Sequence, residues 1–393
     1  MRRVLSISTL YPNPAAPRFG AFVARSMEAL AALGDWHVTV VNPIGLPPMA
    51  LGRYRALKAA TVDAVERKVE VYRPPFRLIP TFGARNNPAR IARAILPLVR
   101  RLHGEAPFDL VDAQFFYPDG PAAAEVAKAL GLPLSIKARG SDIHYWGGKP
   151  WALAQMLAAA EQATGLLAVS QALARDMSDL GFPGHRITVH RTGLDRDRFR
   201  PLHHPQLRRR LGRELGIELP ASAPVLVSVG ALIPIKGQDL VIDALEGLPP
   251  DTVLLLVGHG PEESRLRTQA RARGAADRVH FLGNVDHDLL PLILSAADAM
   301  VLPSAREGLA NAWVEALACG TPLVICDTGG AREVVVSHEA GRIVARYPHA
   351  IAAGVRELLA DPPRPEAVAA LADGFSWQAN AAALAAHYTR LAG

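Results

Sequence analysis

Two carboxylates, Glu307 and Glu315, stand eight residues apart in "SAREGLANAWVEALACGTPLV" (304–324), which opens as a polar loop, runs into an apolar helix and ends at Gly-Thr-Pro before another apolar run. Asn311 is of a type that caps a helix by accepting from a following amide. The remaining first-turn N–H groups, together with the helix dipole, attract a phosphate or diphosphate. Were the spacing all helical, the two Glu residues would lie roughly 12 Å apart. A nucleotide sugar spans a distance of that order, so one carboxylate would take sugar hydroxyls and the other ribose, through charge-assisted hydrogen bonds. A Glu beside a helix N-terminus also stabilises the helix through its dipole, and on the residues alone both readings stand.

Two further turns have phosphate-binding chemistry. "SVGALIPIKGQDL" places Gly230 at a strand end and Lys236 with Gly237 just before a helix, which suits an anion held by amides and an ammonium. "LVGHGPEE" (256–263) is a Gly-rich turn that lets the backbone pass close to a ligand. Glycine also serves βα turns for purely conformational reasons.

The elements that position these turns alternate. "RRVLSIST", "HVTVVNP", "KVEVYRP", "LVDAQF", "PLSIKARG" and "GLLAVS" read as strands, several with Ala- and Leu-rich helices between them, such as "FVARSMEALAAL". After residue 220 the pattern restarts with "PVLVSVG", "TVLLLVG", "RVHFLG", "AMVLPS" and "PLVICD", separated by helices at "GQDLVIDALEGL", "EESRLRTQARARG", "HDLLPLILSAA" and "NAWVEALACG". Strands alternating with helices imply right-handed βαβ units in doubly wound parallel sheets. The predicted architecture is therefore α/β with two Rossmann-like domains. A charged, Pro-bearing seam places the linker near residues 191–200, and ligands are expected in a cleft at the carboxyl ends of the strands.

Composition narrows the class. The 393 residues, half of them hydrophobic, suffice for two domains. The two cysteines, Cys319 and Cys326, lie in apolar surroundings and fit a reducing compartment. The apolar run of "MRRVLSISTLYPNP" is too short for a signal peptide, and no stretch approaches the ~18 apolar residues of a membrane span. A cytoplasmic protein is expected. The net charge of +6 is uneven: residues 1–110 carry +9 and the remainder −3. In "ARNNPARIARAILPLVRRLHGE", Arg90, Arg93, Arg100 and Arg101 share a helical stretch with Ile91, Ile95, Leu98, Val99 and Leu102, which Pro97 is expected to kink or split. Such a segment can lie on an anionic membrane surface, and it equally suits a packed helix with a solvated Arg face. No aromatic interleaving accompanies it, so nucleic acid is not an expected partner.

"GALIPIKG", "VGHGP", "FLGNV", "PSAREG", "EALACGTPLV" and "GGAREVV" occur in that order. In the first half stand "PRFGAFV", "DAQFFYPDG", "ARGSDIHYW" and "HRTGLDRDRF". Over nearly the whole chain these resemble the GT4 family of retaining glycosyltransferases, most of all the branch that makes bacterial envelope or extracellular polysaccharides. The spacing of Glu307 to Glu315 is the most specific element.

The resemblance implies a GT-B fold: residues 1–192 as a Rossmann-like acceptor-binding domain, 200–372 as a Rossmann-like nucleotide-sugar domain facing it, and 373–393 as a helix packing back toward the first. It also implies transfer of a hexosyl unit from a UDP- or GDP-sugar, with retention, to a lipid-linked or glycan acceptor. Carried over, Lys236 holds the donor diphosphate, Gly230 and the amides of Gly308, Leu309, Ala310 and Asn311 cradle it, Glu307 contacts the hexose and Glu315 the ribose. The "FLGNV" segment, Val285 included, lines the base, and Gly20 approaches the phosphates from the other domain. No cofactor or catalytic metal is expected, because Lys236 and amide dipoles offset leaving-group charge. A peripheral contact with the inner membrane face fits such an acceptor.

The chain departs from the family pattern at three positions. Ala231 stands where many members have Arg, Arg139 where many have His before Gly-x-Asp, and Thr192 where Asn is frequent. Arg139 is the candidate substitute in catalysis, with Asp142 and His144 on the acceptor side. "DRD" at 195–197 resembles a metal motif of the other glycosyltransferase fold, but it lies in the linker with no suitable strand before it. His203 and His204 lack a matching ligand pair. A nucleotide-sugar epimerase of the same fold and a non-catalytic nucleotide-sugar or membrane-surface binding protein are the alternatives. A dinucleotide-dependent dehydrogenase is disfavoured, since no Gly-x-Gly-x-x-Gly follows the first strand.

Overall fold

Parallel strands covered by helices on both faces read as continuous apolar runs, and such runs form the centres of two compact units, Met1–Gly193 with Trp377–Gly393, and Leu194–Ser376. The structure, a computed structural model, describes every residue except Thr81, Phe82, His203, His204, Pro205 and His287, and the side chain of Arg53. The expectation for His203 and His204 therefore lies outside the described residues.

The first unit contains strands β1 (Arg2–Ile7), β2 (Trp36–Val41), β3 (Ile44–Leu46), β4 (Ala64–Glu66), β5 (Val69–Tyr72), β6 (Pro75–Arg77), β7 (Leu110–Ala113), β8 (Leu134–Ala138), β9 (Gly165–Ala168) and β10 (Ile187–Val189). Helices α1 (Ala21–Leu33), α2 (Arg53–Ala59), α3 (Asn87–Glu105), α4 (Asp119–Leu130), α5 (Pro150–Gln162) and α6 (Gln171–Asp179) connect them. Among the described residues the sheet order is β10-β9-β8-β7-β1-β2-β5-β4, parallel except where β4 pairs antiparallel with β5. β3 and β6 form a separate parallel pair. The chain reverses its winding direction around β1, so the loops after β1, β7 and β8 leave one edge of the sheet side by side.

The second unit contains β11 (Val225–Val229), β12 (Val253–Val257), β13 (Val279–Gly283), β14 (Ala299–Leu302), β15 (Leu323–Cys326) and β16 (Gly341–Val344). Its helices are α7 (Leu207–Leu215), α8 (Gln238–Ala244), α9 (Glu263–Ala272), α10 (Leu290–Ala296), α11 (Asn311–Ala318), α12 (Ala331–Val334), α13 (Pro348–Ala360) and α14 (Pro365–Ala370). The all-parallel order β13-β12-β11-β14-β15-β16 puts the switch point between β11 and β14, paired in register at Leu226 with Ala299 and Val227 with Met300. Leu254, Leu256, Ala299 and Val301 are fully buried in the core of this unit.

The last helix, α15 (Trp377–Ala392), belongs to the first unit and packs on α1. Tyr388 meets Trp36 edge to face at 5.5 Å between ring centroids, a pair worth about 1 kcal/mol beyond the area it buries. Asn380 fastens the helix: its amide donates to the Arg191 carbonyl at 2.7 Å, its side-chain oxygen accepts from Ser26, and its carbonyl accepts from His190.

The basic helix departs from expectation. α3 runs unbroken from Asn87 to Glu105 with Pro97 inside it and exposed. Burial of Ile91, Ile95, Val99 and Leu102 along one stripe holds the turns on either side, which outweighs the one backbone hydrogen bond that proline removes. Arg93, Arg100 and Arg101 are exposed on this helix, whereas Arg90 is part-buried and donates to the Gly83 carbonyl at 3.2 Å. Among the described residues no helix is long and apolar enough to cross a membrane.

Candidate functional site

Because β11 and β14 are neighbours, the loops that follow them meet although Lys236 and Glu307 are 71 residues apart in sequence. Lys236 Nζ lies 2.5 Å from Glu307 Oε1, the two side chains retaining 20% and 11% of their exposure. For a pair this desolvated the cost of taking both charges out of water offsets much of their attraction, so stability alone does not account for it. The surrounding loops are stitched together. Ala305 N–H donates to the Ile235 carbonyl at 2.8 Å, and Arg346 reaches the carbonyls of Pro303 at 2.8 Å and Pro234 at 3.3 Å. On the other side Gly330 N–H donates to the Gly308 carbonyl at 2.8 Å. Gly329 has φ 49°, and a Cβ there would stand 2.2 Å from the Glu307 carbonyl oxygen. Only glycine lets this turn lie against the Glu307 loop.

Asn311 does not cap α11. Ala310 occupies the N-cap in extended geometry, Asn311 is the first helical residue, and no side chain caps the end. The apolar loop Gly308–Ala310 is buried, which leaves Asn311 one position inside the helix, where its side chain cannot turn back on the following amides. The consequence favours an anion. Among the described residues the amides of Leu309, Ala310 and Asn311 have no acceptor, so the orphan donors of the first turn are left for a ligand. Glu315 lies about one turn along the helix with limited exposure, and burial raises its carboxyl from 4.5 to about 7. Gly230 ends β11 beside the Lys236 side chain. Val285 follows β13, two strands from β11, or roughly 10 Å across the sheet.

In the first unit, Gly20 takes the left-handed conformation at the N-terminus of α1, φ 68°, and a Cβ there would fall 1.6 Å from the Leu10 carbonyl oxygen. Arg139 follows β8. Its guanidinium donates to the Gln114 carbonyl at 3.2 Å and to the Gln114 side chain, and stands 4.9 Å from the centroid of the Phe22 ring. Burial lowers its pKa to about 10, which leaves it charged at neutral pH. Asp142 is fully buried, and its carboxylate accepts from the amides of Phe116 at 2.9 Å, Arg139 at 3.0 Å, Gly140 at 2.8 Å and Ile143 at 3.1 Å. Burial raises this carboxyl, and backbone hydrogen bonds, those from Phe116, Arg139 and Gly140 among them, oppose the rise. Its position makes it a pin for the loop after β8. His144 pairs with Asp176 at 2.9 Å.

Sequence reasoning missed Gln114, which orients Arg139, and Arg346, which ties the two donor-side loops. "DAQFF" carried the first signal; nothing adjacent to Arg346 marked it. Of the acidic pair in "DRD", Asp195 accepts from the Arg198 amide at 3.2 Å and closes a local turn. Both cysteines are free and buried.

Two units of this kind, with this pairing at the second unit's switch point, define a GT-B glycosyltransferase. Solved structures of the same fold include sucrose-phosphate synthase from Thermosynechococcus elongatus, 22% identical with TM-score 0.78 over 99% of both chains. Another is Anabaena HepE in complex with UDP and glucose, 22% identical with TM-score 0.75 over 100% of both. The family profile "Glycosyltransferase Family 4" matches residues 19–198 and "Glycosyl transferases group 1" matches 216–373. The chain belongs to glycosyltransferase family 4. Among curated relatives, TuaC of Bacillus subtilis, named for teichuronic acid biosynthesis, is 29% identical over 86% of this chain and 84% of its own. The GDP-mannose-dependent phosphatidylinositol monomannoside mannosyltransferase of Mycolicibacterium smegmatis is 35% identical over 49% of this chain and 53% of its own.

Proposed function

We propose that this glycosyltransferase moves a hexosyl unit from a UDP- or GDP-sugar, with retained anomeric configuration, to a lipid-linked or polysaccharide acceptor in envelope or extracellular glycan synthesis. The observation that carries the reading is the Lys236–Glu307 pair at the β11/β14 switch point, set beside amides that lack acceptors. On binding, the diphosphate takes the ammonium of Lys236 and the amides of Gly308 to Asn311, which frees Glu307 for the hexose hydroxyls. Charge on the departing diphosphate is then offset by a cation and dipoles already in place, so the reading invokes no metal. Glu315 accepts from the ribose hydroxyls, Gly230 lets the diphosphate approach, and Val285 lines the base. Arg139 adds positive charge on the acceptor side, where Asp142 holds the loop that carries His144. A relative that uses GDP-mannose and a structural neighbour holding UDP and glucose support a nucleotide-hexose donor.

The exposed Arg93, Arg100 and Arg101 of α3 support a peripheral, cytoplasmic-face contact with anionic lipid, each worth about 1 kcal/mol before screening. Incubating the chain with UDP- and GDP-hexoses, with and without a lipid extract and with and without EDTA, tests the reading. Transfer to the lipid fraction with the donor's anomeric configuration, insensitive to EDTA, is the expected result. Epimerised donor would identify the rival enzyme, and bound but unchanged donor a binding protein. A rate abolished by EDTA and restored by manganese would return Asp195 and Asp197 to the chemistry.

A further inference from the structure

We propose that the carboxyl edge of the first unit's sheet carries a saccharide-stacking platform centred on Tyr145, so that the acceptor is read through a pyranose ring rather than an anionic headgroup. The inference rests on the acceptor-side reading of that edge and names the chemistry it recognises.

The turn Asp142–Trp146 follows β8 and is anchored at its base by the four amides on the Asp142 carboxylate. Four aromatic rings gather around it. Tyr117 lies 4.7 Å from Trp146 and 5.6 Å from Trp151 between centroids, and Trp146 and Trp151 are 5.9 Å apart. The Tyr117 hydroxyl is used inside the fold, donating to the Ala84 carbonyl at 2.6 Å. Packing accounts for these three rings. It does not account for the fourth, since Tyr145 is 59% exposed while it meets Trp146 edge to face at 5.0 Å and 79°. The Lys149 ammonium stands 4.6 Å from the Tyr145 centroid and covers one face of the ring. An aromatic ring held by two neighbours yet more than half in water is a surface prepared for a ligand.

The ring's own electrostatics select the ligand. An aromatic face is electron-rich and attracts the weakly positive C–H face of a pyranose, whereas a phosphate would seek the Lys149 ammonium and not the ring. The Lys149 ammonium borders the ring and suits the hydroxyls on a sugar's rim. A second exposed ring lies on the same edge. Phe19, 57% exposed, precedes Gly20 in the loop after β1, and only β7 separates β1 from β8, a distance of roughly 10 Å. An acceptor longer than one sugar could reach both rings.

Saturation-transfer NMR on the full chain tests this with methyl β-D-glucopyranoside, methyl α-D-mannopyranoside and glycerol 1-phosphate as separate probes. At least one glycoside should receive saturation in the parent and in Tyr145→Phe, and bind about fivefold more weakly to Tyr145→Ala. Glycerol phosphate should show no dependence on the ring. The proposal is overturned if neither glycoside binds the parent, if Tyr145→Ala binds as the parent does, or if glycerol phosphate follows the same variant pattern. UDP and GDP measured in the same samples report the second unit separately. Loss of nucleotide binding there would refute the donor reading without touching the platform.

Discussion

Replacing Glu315 by Gln should stabilise the ligand-free protein while weakening nucleotide binding. Burial raises the folded-state pKa of Glu315 from 4.5 to about 7, a shift of about 2.5 units at ~1.4 kcal/mol each. Between these values the unfolded chain has released its proton and the folded chain still holds one, so stability falls as pH rises through the window. Linkage over that interval costs the parent about 1 kcal/mol at pH 5 and about 3 kcal/mol at pH 8. Gln keeps the volume and cannot ionise, so the variant escapes this loss. Two units need not unfold together, so the readout is urea pulse proteolysis followed through peptides of β11 to β15. With a slope of roughly 2 kcal/mol per molar urea, the advantage of the variant should be about 1 M larger at pH 8 than at pH 5. Ribose hydroxyls donate to the ionised form, so nucleotide affinity of the parent should rise with pH through 7 and that of the variant should stay low and flat. An equal stability difference at both pH values would refute the argument, because it would show that the carboxyl does not titrate near neutrality.

Lys236→Ala and Glu307→Ala should each lose at least about a hundredfold in transfer rate with the fold retained, although the partner left unpaired in this largely buried site lowers the thermal midpoint; unfolding of either variant would make the pair structural. Changing Arg93, Arg100 and Arg101 together to Gln should reduce salt-sensitive binding to vesicles containing a third phosphatidylglycerol, and unchanged binding in a co-sedimentation assay would separate α3 from the membrane. Asp142→Asn should cost about 2–4 kcal/mol by turning one acceptor oxygen into a donor facing backbone amides, and should raise hydrogen exchange at Arg139–Ile143. Unchanged exchange there would show that the amides find other acceptors.

Local pattern determined a great deal. Strand runs such as "PVLVSVG" and "PLVICD" are apolar throughout because parallel strands covered on both faces have no solvated side, and they fall on β11 and β15. The repeat of strand and helix, with its restart after residue 220, was enough for two doubly wound units, and the order of short motifs was enough for the family. Glycine and charged residues at strand ends marked the loops after β11 and β14.

What the tertiary structure alone decided depended on atoms far apart in the chain. Pairing of Lys236 with Glu307 follows from β14 inserting beside β11, a sheet-order event that no local window records. The cap of α11 shifted to Ala310 because burial of Gly308–Ala310 set where the helix begins, and α3 stayed whole through Pro97 because its buried stripe outweighs one missing hydrogen bond. Sequence located Glu315 on a helix; only the packing around it decided that its carboxyl would be desolvated. Tyr145 carried no sequence signal, since whether an aromatic ring is core or surface is settled by its neighbours, and here Tyr117 is buried with Trp146 and Trp151 part-buried around it, which leaves the fourth ring outside.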